Sequence, residues 1–114
     1  MNFFLHIIIN SRQPKKVDVS IEQALRILGA NTTIVKKENY WKDKSQTEVI
    51  FKLPVNTNES SSTIEKILNI IGGFSSQWNI CVPNEISCNL EDFSGVCDSK
   101  INILNIIWIS FMLN

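Results

Sequence analysis

Two stretches, one near each end of the sequence, are apolar on both faces of a β-strand, and they constrain the fold more than any other feature. In residues 2–10, Phe3, Leu5, Ile7 and Ile9 point one way, while Phe4, His6, Ile8 and Asn10 point the other. Residues 101–113 are again apolar on both sides, interrupted by Asn102, Asn105 and Ser110. A strand with two apolar faces belongs inside a sheet that is covered on both sides. For the second stretch a buried helix competes, because an apolar run alone does not separate the two.

The chain between them alternates helix and strand signals. Ser11-Arg12-Gln13-Pro14 breaks the first strand, and Ser20-Ile21-Glu22-Gln23 matches a capping box that opens a helix. Ile21, Ala24, Leu25 and Leu28 give it one apolar stripe, and Gly29 stops it. Residues 32–41 and 46–53 form a hairpin around the polar turn Lys42-Asp43-Lys44-Ser45, with Val49, Phe51 and Leu53 alternating against a wetter face that carries Glu48 and Lys52. Ser62-Thr63-Ile64-Glu65 opens a second helix that Gly72-Gly73 ends. Residues 77–82 form a short strand. A structureless loop as long as residues 83–99 is uncommon, so a short helix or turn packed by Leu90 and Phe93, or a functional excursion, is expected there.

The order β-α-β-β-α-β plus a C-terminal strand makes one α+β domain over residues 1–114. Its first six elements, residues 2–82, resemble the ferredoxin-like split β-α-β plan: an antiparallel or mixed sheet under two helices. That plan leaves one sheet face open. The apolar end strands require a cover for it, supplied by residues 83–99, by a partner, or by a second copy of the chain in a homodimer.

Chemistry-bearing motifs are scarce. There is no phosphate-binding glycine loop, and Gly72-Gly73 follows a helix instead of opening one. Cys81, Cys88 and Cys97 are spaced C-x6-C-x8-C, which is not a zinc pattern, and they read as reduced thiols of a cytoplasmic protein. The sequence implies no cofactor and no metal. His6 is the only imidazole, and the only arginines are Arg12 and Arg26, so neither a Ser–His mechanism nor a phosphoryl clamp stands out. No enzymatic activity is expected. The N-terminal stretch lacks a basic leader and a cleavage site, and no apolar run reaches the roughly 20 residues that span a bilayer. No membrane contact is expected.

Charge is informative only when divided. Lys plus Arg and Asp plus Glu number 11 each, for a net charge of zero. Residues 1–52 hold nine basic and five acidic side chains, and residues 53–114 hold two and six, so the halves balance at +4 and −4. Glu85, Glu91, Asp92 and Asp98 lie beside Leu90 and Phe93 in a stretch without a basic residue. Acids beside apolar anchors suit a basic protein partner.

Small size, usage rich in Ile, Asn and Lys but poor in Arg, and this acidic segment together resemble small bacterial immunity proteins that neutralise a cognate toxin, including those of contact-dependent growth inhibition. The resemblance implies a partner that is a basic toxin, such as a nuclease, bound through Glu85, Glu91, Asp92, Phe93 and Asp98, with Tyr40 and Trp41 as second candidates. The alternative reading is an RNA- or nucleotide-associated regulatory domain that uses Lys36, Lys37, Trp41 and Lys44. Against it, the chain as a whole is not basic and lacks the aromatic pattern of RNA-recognition strands.

Overall fold

The computed structural model describes residues 1–55, 60–81 and 90–114, with Ser60 described in its backbone alone. The elements run β1 (Asn2–Ile9), α1 (Pro14–Leu28), β2 (Thr33–Asn39), β3 (Thr47–Pro54), α2 (Ser60–Gly72), β4 (Asn79–Cys81), a 3-10 turn at Leu90–Asp92, β5 (Ser94–Cys97) and β6 (Ile106–Leu113). The strands form one sheet in the order β2-β3-β1-β6-β5-β4, and every neighbouring pair is antiparallel.

The two doubly apolar stretches become the two middle strands and pair with each other, Phe3 opposite Leu113 and Ile7 opposite Ile109. This corrects the ferredoxin-like expectation, in which the strand after the second helix would lie beside β1. That strand is β4, three residues long with Asn79 and Cys81 exposed, and it sits at the far edge. Burial explains the exchange: β6 has apolar groups for both faces and gains most in the interior, whereas β4 loses least at an edge. The C-terminal strand also begins later than expected. Residues 101–105 turn first, with Asn105 in the left-handed region at φ 71°, and Ile107 is left over where the register shifts between Ile8 and Ile9.

Both helices contribute to a single core on one face of the sheet. Phe3, Leu5, Ile7 and Ile9 of β1, with Val49 and Phe51 of β3, pack in one cluster with Val17, Ile21, Ala24 and Leu28 of α1 and Ile67 and Ile71 of α2. Phe111 joins the aromatics of that core, its ring centroid 5.6 Å from Phe3, 5.6 Å from Trp78 and 5.2 Å from Phe93. Trp78 also closes α2, its indole N–H donating to the carbonyls of Ile71 and Ser75.

Both helices start earlier than the capping boxes suggest. α1 opens at Pro14, a residue that suits the first helical position because its missing N–H would be unpaired there anyway. Ser20 therefore lies inside α1. It is buried, and its hydroxyl donates to the carbonyl of Leu104 at 2.8 Å. α2 opens at Ser60, which puts Thr63 within the helix. Gly29 ends α1 as expected, with φ 99° and its N–H on the Leu25 carbonyl.

Candidate functional site

The period of two along β1 sends Phe4, His6 and Ile8 to the face of the sheet opposite the helices. The register lays three rows across that face. Phe4 stands between Lys52 and Met112, His6 between Ile50 and Ser110, and Ile8 between Glu48 and Trp108. β2 extends the rows with Lys36 and Glu38, and β5 extends them with Ser94 and Val96. None of these side chains belongs to the core under the helices. Leu90 and Phe93 of the expected covering segment turn into that core instead. Of the described residues in that segment, Ser94–Cys97 join the sheet as β5.

The middle of the face is polar and tightly connected. Glu48 is 4 % exposed, and its Oε2 lies 2.9 Å from Nε2 of His6. The Lys36 ammonium lies 2.5 Å from Oε1 of Glu48 and 3.1 Å from Glu38. Burial pushes the Glu48 carboxyl up, but Lys36 and then His6 outweigh it and hold the group below its ordinary 4.5. The same contact with Glu48, and a second with Glu38, raise Lys36. An ionised Glu48 accepts the Nε2–H of His6. When the ring is neutral, this leaves Nδ1 as its acceptor. Trp108 meets the His6 ring edge-on, with centroids 5.2 Å apart.

Beside this network lies a cleft of about 340 Å³ lined by Phe4, His6, Val35, Ile50, Ser110 and Met112. Its walls are largely apolar, and its polar groups come from His6, Ser110 and Asn114, the composition expected of a binding surface. Ser110 neighbours His6 in register, but no hydrogen bond joins them among the described residues.

Among the described residues, those expected to bind a partner do not converge. Glu91 and Asp92 are exposed on the 3-10 turn that leads into β5, and Asp98 is exposed beyond the other end of that strand. Glu85 and Cys88 lie outside the described residues. Phe93 must be reassigned: it is fully buried and packs on Phe111, so it is a core residue and not an anchor for a partner. Tyr40 and Trp41 do meet, with centroids 6.1 Å apart, in the turn between β2 and β3, on the opposite edge of the sheet from β4 and β5. In the alternative set, Lys36 turns to Glu48 and Lys37 pairs with Asp18 at 3.3 Å. Glu48 and Trp108 were not singled out by the sequence, because only the register brings them to His6.

Cys81 is exposed, Cys97 is buried, and both are free thiols. Among the described residues no group of three or more His, Cys, Asp or Glu side chains could hold a metal ion, and no helix is long and apolar enough to cross a membrane. No protein-family model matches the chain, and neither does any curated protein or solved structure.

Proposed function

We propose that this chain is a protein-binding domain without catalysis of its own, an immunity protein that binds and blocks a cognate toxin in the cytoplasm, with the helix-free face of the sheet as its docking surface. The observation that carries this reading is the apolar content of that face. Val35, Val96 and Met112 are exposed and Phe4 and Ile50 are half-buried there, around the neutralised His6–Glu48–Lys36 network. Apolar side chains gathered on a sheet face that no described element covers support contact with another surface. Glu91 and Asp92 stand at the Phe4–Met112 end of the sheet, where they favour approach of a basic partner.

The test is co-expression with the product of the adjoining reading frame. That product should arrest growth alone, lose its effect when this chain is present, and co-purify with it. Ile50→Lys or Met112→Lys should abolish protection, whereas Val19→Lys, on the exposed side of α1, should not. A neighbouring product that is neither toxic nor bound would end this reading. So would a stable homodimer of the isolated chain that Met112→Lys dissociates, because the face would then belong to a second copy.

A further inference from the structure

At the end of the sheet where β1 finishes, the fold collects cations from separate parts of the chain. Arg12 comes from the loop between β1 and α1, Lys15 and Lys16 from the first turn of α1, and Lys42 and Lys44 from the turn between β2 and β3. The two connections are tied together. The Thr47 hydroxyl donates to the Ser11 carbonyl at 2.7 Å, and the Gln46 amide lies 3.4 Å from Oδ1 of Asn10. Arg12 and Lys37 line one cleft of about 200 Å³ with Pro14, Glu38, Asn39 and Thr47.

Two of the acids of this corner are paired with cations, Asp18 with Lys37 at 3.3 Å and Glu38, which lines the same cleft, with Lys36 at 3.1 Å. Asp43 accepts from the hydroxyl and amide of Ser45, which hold its carboxyl below its ordinary value and leave it one anion among these cations. Arg12, Lys15, Lys16 and Lys44 make no ion pair among the described residues. The first turn of α1 carries no acid, so Lys15 and Lys16 add to the positive end of the helix instead of offsetting it. In the same turn as Lys42 and Lys44, Trp41 is 73 % exposed, with the Lys42 ammonium 5.1 Å from its ring centroid and Tyr40 edge-on to it.

We propose that this corner binds single-stranded nucleic acid. Arg12, Lys15, Lys16 and Lys44 contact phosphates, and a base stacks on Trp41. An acidic protein segment would satisfy the cations but leave the indole uncovered, whereas a nucleotide strand supplies both the charge and the ring. The neutral total charge argues against a uniformly basic surface, but that total averages over a chain with five of its eleven Lys and Arg at this corner. The corner shares no residue with the cleft on the helix-free face, so the two readings stand or fall separately.

The test is fluorescence anisotropy of a labelled oligo-dT of about 15 nucleotides. Saturable binding is expected at about 50 mM salt, falling steeply towards about 200 mM. Trp41→Ala should weaken it about tenfold. Reversing Lys15 and Lys16 to Glu should lower the slope of log K against log salt by about 1.4, the value for two lost phosphate contacts on a single strand. All three positions are exposed, so circular dichroism of the variants should be unchanged. Lys66→Glu, on α2, should leave binding unaffected. Absence of saturable binding, indifference to Trp41→Ala, or an equal loss in Lys66→Glu would overturn the proposal. Displacement of the strand by oligoglutamate of matched charge would assign the corner to an acidic protein segment instead.

Discussion

Nε2 of His6 lies 2.9 Å from Oε2 of Glu48, although the two residues are not ladder partners: His6 faces Ile50, and Glu48 faces Ile8. The contact is a diagonal across β1 and β3. Together with Lys36 it keeps a buried carboxylate ionised in the middle of an otherwise half-apolar face. Removing a partner would leave that carboxylate buried and underpaired, so the network ties the ionisation of one residue to the stability of the central strands.

Acid should therefore destabilise the protein through Glu48. Its carboxyl lies below the ordinary 4.5 in the folded state. Such a group contributes stability that is complete above the unfolded value and is lost as pH falls through the folded one. The loss is expected to begin just below 4.5 and deepen from there. Glu48→Gln should cost about 1–3 kcal/mol near neutral pH and flatten the acid limb. Urea denaturation near neutrality and at about pH 3 measures both effects. If the variant and the parent lose the same stability on acidification, Glu48 is not the group responsible.

Gly95 on β5 and Gly72 at the end of α2 should respond in opposite ways to the same methyl group. A Cβ at Gly95 would stand 2.5 Å from Cε1 and 3.1 Å from Cζ of Phe111, a ring held among Phe3, Trp78 and Phe93. Because that ring has no room to withdraw, Gly95→Ala should cost about 1–3 kcal/mol. At Gly72 a Cβ meets nothing within 4 Å, and φ is not in the left-handed region. Gly72→Ala should be neutral or add up to about 1 kcal/mol by restricting the unfolded chain. Thermal unfolding of the pair tests the contrast, and a stable Gly95→Ala protein would mean the Phe111 cluster is loosely packed.

What the sequence made legible follows from burial. The apolar stretch at the start reads as an interior strand and is one, and of the stretch at the end, for which a buried helix competed, Ile106–Leu113 form the other; Val49, Phe51 and Leu53 alternate inward as their spacing suggests. Strand order was hidden because it depends on which strands gain most from the interior, a comparison between β4 and β6 that no local pattern contains. The first turn of α1 was hidden because Lys15 and Lys16 carry no apolar period, leaving Pro14 as its one signal. Phe93 looked like an interface anchor beside two acids, but only the fold shows it turning towards Phe111. Glu48 looked like part of a wet face, since neither Lys36 nor His6 is near it in sequence.

Ser20 distinguishes the two accounts of α1. If it donates to the Leu104 carbonyl from inside the helix, Ser20→Ala should cost about 1 kcal/mol, partly offset by the better helix propensity of alanine. Aspartate separates this from a capping role. Ser20→Asp would preserve a cap, but here it places a carboxylate at a position that is 1 % exposed and beside a carbonyl oxygen. It should therefore be more damaging than Ser20→Ala in a denaturation midpoint. The reverse order would return Ser20 to the helix start.

Phe111 and Met112 are adjacent on β6 and point to opposite sides of the sheet, so together they separate folding from binding. Phe111 lies in the aromatic core, and Phe111→Ala should cost about 3–5 kcal/mol through the cavity it leaves. Met112 is 50 % exposed beside Phe4 on the helix-free face, and Met112→Lys should change stability by less than about 0.5 kcal/mol. If that face carries the partner, Met112→Lys should nonetheless abolish protection from the toxin at full protein level and unchanged melting temperature. Loss of protection accompanied by a falling melting temperature would make Met112 a structural residue. Intact protection at intact stability would move the docking surface elsewhere, with the exposed acids Asp92 and Asp98 the next positions to reverse.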